Sequence, residues 1–278
     1  FVGGLMLLAI PIATVQVVVR SSAFTQLDAA DEGVPHLLEH MLFKSFGNGD
    51  GDGFGRAASR LHAGYNGMTG DELVTYYVTL PSRNTAGGIA LMADLMREPV
   101  FRREQLAVEQ QVVKGELERN DADPSFLFSV AVNRLLWGPA FGRKHAMGNA
   151  ISIMGADAER LRRHFERYYV PNNTALIVTG DVIPDSAFAH AERHLGDWPR
   201  GPDPFTTHPI PPMPPLTRNE VVTVEEPVGV VAVYLQWHGP SVGKDPEATY
   251  AADVFSDLVN QPGSSFHRRV VDSGLFQS

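Results

Sequence analysis

The sequence predicts an α+β fold: a mixed, mainly antiparallel sheet packed with helices, followed by an incomplete second domain. Three observations carry this expectation. Stretches with strand character and stretches with helix character follow one another without the regular β-α-β alternation of a doubly wound sheet. Of the 278 residues, 44% are hydrophobic and 20% charged, as in an ordinary globular chain long enough for one large domain or two moderate ones. Eight prolines fall within residues 198–216, too many for a packed element and typical of a semi-rigid linker. The expected division is therefore a first domain over 1–197, a linker over 198–218, and the truncated start of a second, homologous domain over 219–278.

The elements follow in order. Residues 4–19 are apolar, but no basic residue precedes them, and Pro11 and Gln16 interrupt them. Two strands joined by a turn fit better than a signal peptide. Val15, Val17 and Val19 alternate with Gln16, Val18 and Arg20, which suits a sheet with one well-buried face. Pro35 is tolerated in the first turn of a helix, so a helix is expected to start there and to end before Gly47. The loop 47–55 (GNGDGDGFG) places Asn48, Asp50 and Asp52 like the opening of a calcium loop, yet Ser59 stands where that motif needs glutamate. A short helix is expected over 56–62, a β-branched and aromatic strand over 73–80, and helices over 86–97, 103–119, 125–136 and 156–169. Another strand (174–179) and helix (185–195) complete the first domain. Beyond the prolines, strands over 221–225 and 228–237 and a helix over 246–259 weakly echo the start of the chain.

Chemistry concentrates in the helix that begins near Pro35. His36 and His40 stand four residues apart, an advance of about 400°, so their rings lie about 40° apart on one face, with Glu39 about 60° to the other side of His36. Leu37, Leu38, Met41 and Leu42 surround them, so the polar trio has to be satisfied inside the protein. Two neutral imidazoles can supply two ligands of a tetrahedral zinc site, and a glutamate beside them can take the proton of a water whose pKa the ion has lowered. H-x-x-E-H is the inverted form of the H-E-x-x-H signature. The plain alternative is two core-edge histidines beside a surface glutamate, and a third ligand has to decide. The helix over 103–119 carries Glu104, Glu109, Glu116 and Glu118. Glu109 and Glu116 are seven apart and return to within about 20° of each other, whereas Glu118 lies about 200° from Glu116. A solvated acidic face explains the same pattern, and spacing alone does not choose.

At this point the chain resembles the inverted zinc peptidases of the pitrilysin, insulinase and mitochondrial processing peptidase family, M16. Beyond HLLEHMLFK at 36–44, the segment 109–116 (EQQVVKGE) is similar to the family's E-x-x-V-V-x-x-E, and Asp123-Pro124 stands where its D-P follows. Asn66 and Thr69 resemble the N-A-x-T edge strand, and Tyr169 to Asn173 with Val178 to Asp181 resembles Y-x-P-x-N followed by V-x-G-D. The resemblance implies a processing-peptidase-like metallohydrolase domain with His36, His40 and Glu116 as zinc ligands and Glu39 as general base and acid. Glu109 would be a carboxylate outside the coordination sphere that orients a ligand histidine. It also implies that an extended peptide pairs with the edge strand carrying Asn66 and Thr69. Two departures stand out. Gly67 replaces the usual alanine after Asn66, and the second domain, which in the family closes over the first and adds substrate-binding residues, breaks off. The chain also starts at Phe1. The expectation is a fragment, or a chain whose chamber is closed by a homologous second half or a partner chain.

The function expected is zinc-dependent endopeptidase action on peptides or unfolded segments. The alternative is a non-catalytic family-like subunit that binds an active chain. Such a subunit would be expected to lose motif residues, and all four are present here. A net charge of -9 and a pI near 5.5 give no general footprint for nucleic acid. The absence of cysteine excludes disulfides, thiolate ligands and a cysteine nucleophile, and leaves cytoplasm and periplasm equally open. No membrane span is expected. His190 and His194 repeat the four-residue spacing, but Glu192 falls on the opposite face and no partner ligand is evident. Residues 239–244 are one residue short of a P-loop, and no G-x-S-x-G elbow occurs.

Overall fold

The computed structural model describes residues 11–97, 99–138 and 145–274. The strand expected before Pro11 lies outside the described residues. The chain divides into two compact units, Phe1–Val228 and Gly229–Ser278.

In the first unit the centre is β1 (Ile12–Val19), followed by α1 (Val34–Ser45), α2 (Gly53–Arg60), β2 (Gly64–Thr69), β3 (Val74–Pro81) and α3 (Thr85–Leu95). After these come α4 (Arg103–Asp121), α5 (Pro124–Trp137), α6 (Ala150–Met154), α7 (Ala158–Tyr168), β4 (Thr174–Gly180), α8 (Pro184–Leu195) and α9 (Pro204–Thr207). The strands form one sheet in the order β2-β3-β1-β4, and each pairing is antiparallel, with Val15 opposite both Val78 and Val178. The α+β expectation holds.

The alternation in β1 does what the valine pattern requires. Ala13, Val15, Val17 and Val19 are buried, as are Val74, Tyr76, Val78 and Leu80 of β3 on the same face. Each valine or leucine among them contributes about 1.5–3 kcal/mol by leaving water. Helices α1 and α3 cover this face, and α4 and α7 pack against α1. The motif residues near Tyr169 are structural: Asn173 donates from Nδ2 to the carbonyls of Arg20 (3.1 Å) and Tyr168 (2.8 Å), and Tyr169 shares a buried hydroxyl contact with Tyr76 (2.8 Å). Asp123-Pro124 is a helix start, since Asp123 accepts from the Ser125 N–H (2.9 Å) and Pro124 opens α5.

Several boundaries differ from the sequence reading. Asp157 caps α7 by accepting from the Arg160 N–H (2.8 Å), which delays the helix expected from 156, and the short α6 before it lacked a periodic signal. The proline-rich segment contains α9, where Phe205 stacks on Phe24 at 5.6 Å and lies under the Arg20 guanidinium. The strands expected over 221–225 and 228–237 are absent: these residues have no strand assignment and no ladder partner among the described residues, and most are exposed. Their alternating valines met the residue-type requirement for a strand, but a strand also needs a neighbour to bond to.

The second unit contains α10 (Pro246–Asn260) and α11 (Ser265–Val270). Asp245 caps α10 by accepting from the Ala248 N–H (3.0 Å), with Pro246 in the first turn. No described helix is long and apolar enough to cross a membrane.

Candidate metal centre

Two helices bring the polar residues together. α1 starts at Gly33, whose φ of 79° is the left-handed conformation glycine adopts freely, and the Gln26 side chain accepts its N–H. The loop carrying Gly148 presses on this start so closely that a β-carbon there would lie 2.2 Å from the Gly33 nitrogen. α4 lies across α1 and buries Leu106, Glu109, Gln110, Val113 and Leu117 along one stripe. Gln110 fixes α4 to the neighbouring turn by donating to the carbonyls of Ile153 (2.8 Å) and Ala156 (2.9 Å).

Where the helices meet, one ligand atom each from His36, His40 and Glu116 lies within 4.8 Å of the others, and this is the one such group of metal-binding residue types among the described residues. Glu116 Oε2 is 3.7 Å from His36 Nε2 and 3.6 Å from His40 Nε2. These distances exceed a hydrogen bond. A tetrahedral ion with bonds of about 2.0–2.2 Å sets its donors about 3.4 Å apart, so the spacing suits ligands around zinc. Neither nitrogen of buried His36 has a hydrogen-bond partner among the described residues, Nδ1 being fully enclosed. Leaving a buried imidazole unsatisfied is costly, and a cation at Nε2 removes part of that cost. Two imidazoles and one carboxylate also leave a fourth position open, as catalytic zinc sites do.

Burial and neighbouring charges move the two imidazoles in opposite directions. Burial, reinforced by His40 and His145, pushes His36 down to about 3, so its ring is neutral. For His40, burial favours the neutral ring, but the hydrogen bond to Glu109 and the charges of Glu116, Glu39 and Glu109 outweigh it and raise its pKa. Glu109 Oε2 accepts from His40 Nδ1 at 3.0 Å, which leaves the Nε2 lone pair directed at Glu116. Burial raises Glu109, but His40 and Lys44 overcome it and hold the carboxylate below its usual range. Glu39 is shifted upward, chiefly by burial, against the opposing hydrogen bond from Thr69 and charge of His40.

These groups line a cleft of about 570 Å³ with Phe43, Tyr65, Asn66, Thr69 and His145. Thr69 Oγ1 donates to Glu39 Oε2 at 2.5 Å. β2 is an edge strand, so Asn66 and Thr69 do border an unpaired ladder. Their side chains have different partners. The pleat sends Thr69 toward α1 and Asn66 to the other face, where its Oδ1 accepts from the Gly67 N–H at 2.9 Å. Lys44, 3.5 Å from Glu109 Oε1, was missed by the sequence reading, although its place four residues after His40 on one helix face was a usable signal. His145 comes from a distant segment and gave none, whereas Tyr65 adjoins Asn66 on β2. Asp50 and Asp52, which mimic a calcium loop, are both paired with Arg56.

Residues 10–147 match the family model described as Insulinase (Peptidase family M16), and residues 155–278 match Peptidase M16 inactive domain. An uncharacterized zinc protease of Rickettsia felis is 24% identical over 174 residues, which is 63% of this chain and 42% of that protein. The zinc protease PqqE of Helicobacter pylori is 22% identical over 205 residues, 69% of this chain and 45% of the relative. The chain thus spans under half the length of these curated relatives. Among solved structures, a protease from Helicobacter pylori superposes with a TM-score of 0.65 at 20% identity, covering 73% of this chain and 48% of that one. The periplasmic protease PqqL from Escherichia coli does so with a TM-score of 0.62 at 21% identity, covering 68% and 22%.

Proposed function

We propose, from the premise that this chain belongs to the M16 peptidase family, that it carries the catalytic centre of a zinc endopeptidase acting on peptides or unfolded protein segments. The observation that carries the reading is the convergence of His36, His40 and Glu116 beside a buried carboxylate. Zinc is the cofactor, in keeping with relatives named as zinc proteases, and when bound it supplies a Lewis acid that polarises the scissile carbonyl and acidifies water.

The chain's own residues do the rest. His36, His40 and Glu116 hold the ion, and Glu109 keeps His40 in the tautomer with a free Nε2. Glu39 takes the proton of the attacking water and returns it to the leaving amine. Its upward shift brings its pKa nearer to working pH, as suits a group that must both accept and release a proton. A substrate in extended form adds to the free edge of β2 through main-chain hydrogen bonds. We also keep the division into a peptidase domain (1–197), a proline-rich linker (198–218) and the opening of a second domain (219–278), with a homologous second half or partner chain closing the cleft. A non-catalytic family-like subunit is the competing reading, and retention of all four motif residues speaks against it.

The test is zinc content of the purified protein together with peptide cleavage before and after chelation. Bound zinc with chelator-sensitive cleavage is expected. Bound zinc without cleavage, even with the second half supplied, would favour the non-catalytic subunit.

A further inference from the structure

One wall of the cleft carries a polar ring that neither the metal ligands nor the general base employ. His145 stands there, in the loop that precedes α6. This loop is fixed to the start of the helix that carries His36. Gly148 packs against the Gly33 main chain, Asn149 Nδ2 donates to Glu32 Oε2 at 2.6 Å, and Ser152 Oγ donates to the Glu32 carbonyl. The His145 ring is held as well. Phe126 meets it edge to face at 4.5 Å, and its Nδ1 accepts the Met147 N–H at 3.2 Å. With Nδ1 accepting, the neutral ring carries its proton on Nε2, and that nitrogen has no hydrogen-bond partner among the described residues. Burial, against the charge of Asp71, lowers the pKa of the ring and favours this neutral form. Lys44 and Thr69, two other donors on the cleft, are committed to Glu109 and Glu39.

Addition of water to a peptide carbonyl forms a C–O bond, moves the π electron pair onto the carbonyl oxygen and sends one proton to Glu39. The oxygen that gains charge needs a donor already in place, and a donor inside a cleft stabilises it more than bulk water does. The carboxylates of Glu39, Glu109 and Glu116 line the same cleft and offer it none. We propose that His145 is a further catalytic residue: its Nε2–H donates a hydrogen bond to the substrate carbonyl oxygen as that oxygen becomes an oxyanion. The proposal rests on the peptidase reading above. The imidazole stays neutral and transfers no proton, so it acts as a fixed dipole. The first domain thereby holds a donor of its own for the reacting carbonyl, independent of a second half.

The experiment begins with the metal-free protein, where nitrogen–proton correlation of the imidazole rings should show His145 protonated on Nε2. Protonation on Nδ1 would overturn the proposal. In the zinc-loaded protein with the second half supplied, His145→Phe keeps a ring against Phe126 but removes the N–H. It should lower kcat by about 100–1000-fold with KM and zinc stoichiometry unchanged. His145→Gln, which restores a donor, should recover part of the loss. A phosphinic peptide, tetrahedral like the intermediate, should lose affinity for His145→Phe in proportion to kcat, whereas a product peptide should bind parent and variant alike. An unchanged kcat, a loss carried by KM alone, or equal phosphinate affinity would overturn the proposal. A kcat loss matched by loss of zinc would overturn it too, since the ring would then be supporting the ligands. Absence of turnover in the zinc-loaded parent is a different failure: it sinks the peptidase reading, and the oxyanion role with it.

Discussion

Two helices of this protein carry histidines four residues apart, and only one of them makes a candidate site. On α1, His36 and His40 are set into the core, and α4 delivers Glu116 to within 3.7 Å and 3.6 Å of their Nε2 atoms. On α8, His190 and His194 are half exposed, no residue of the helix is buried, and no third donor joins them among the described residues. The spacing is identical, so spacing is not what makes the site. A second helix that delivers a third donor is, together with burial that keeps the His36 ring neutral and a carboxylate, Glu109, that holds His40 Nδ1.

The sharpest way to break this contrast is to change the glutamate inside each pair. Glu39→Gln is nearly isosteric but cannot accept the water's proton, so it should cost roughly 10²–10⁴-fold in peptide hydrolysis with zinc retained. Glu192→Gln on α8 should cost nothing. Kinetics on the zinc-loaded variants check both, and substantial activity in Glu39→Gln would move the base elsewhere.

A smaller effect is expected outside the ligand set. Glu109→Gln keeps the shape but weakens the hold on His40 Nδ1, and zinc affinity or rate should fall by about 10–100-fold, as measured by competition with a chelator. No loss would mean that α1 orients His40 unaided.

A third kind of histidine sharpens the comparison further. His164 is buried, its Nε2 is 2.7 Å from Ser21 Oγ, and burial together with Arg167 holds it down at about 3 against an ordinary 6.5. Because the unfolded chain binds this proton more readily, the stability His164 contributes is present above pH 6.5 and is lost as pH falls toward 3. Urea unfolding of metal-free protein should show a slope approaching about 1.4 kcal/mol per pH unit from this group across that window. The slope should be shallower in His164→Gln, with the contribution of His36 common to both. Identical slopes would mean that the His164 ring opens to water before unfolding.

What could be read in the sequence followed from local periodicity. The valines of β1, the zinc-motif helix, the seven-residue return from Glu109 to Glu116 and the Asp123-Pro124 helix start all declare themselves within a few turns of chain. What could not be read depends on contacts across the chain. The close approach of Glu39 to Gly67 is one such contact, and the His145 ring reaches the cleft from a loop with no pattern of its own. Residues 221–237 show the reverse error, because residue type alone predicted strands that have no ladder partner among the described residues.

The central claim is that the metal sits where α1 and α4 cross. Zinc stoichiometry of His40→Ala, Glu116→Gln and His194→Ala, measured on folded protein by elemental analysis, tests it most directly. The account predicts about one zinc per chain in the parent and in His194→Ala, with little or none in the other two. Equal zinc loss from His40→Ala and His194→Ala, or full zinc in Glu116→Gln, would contradict it.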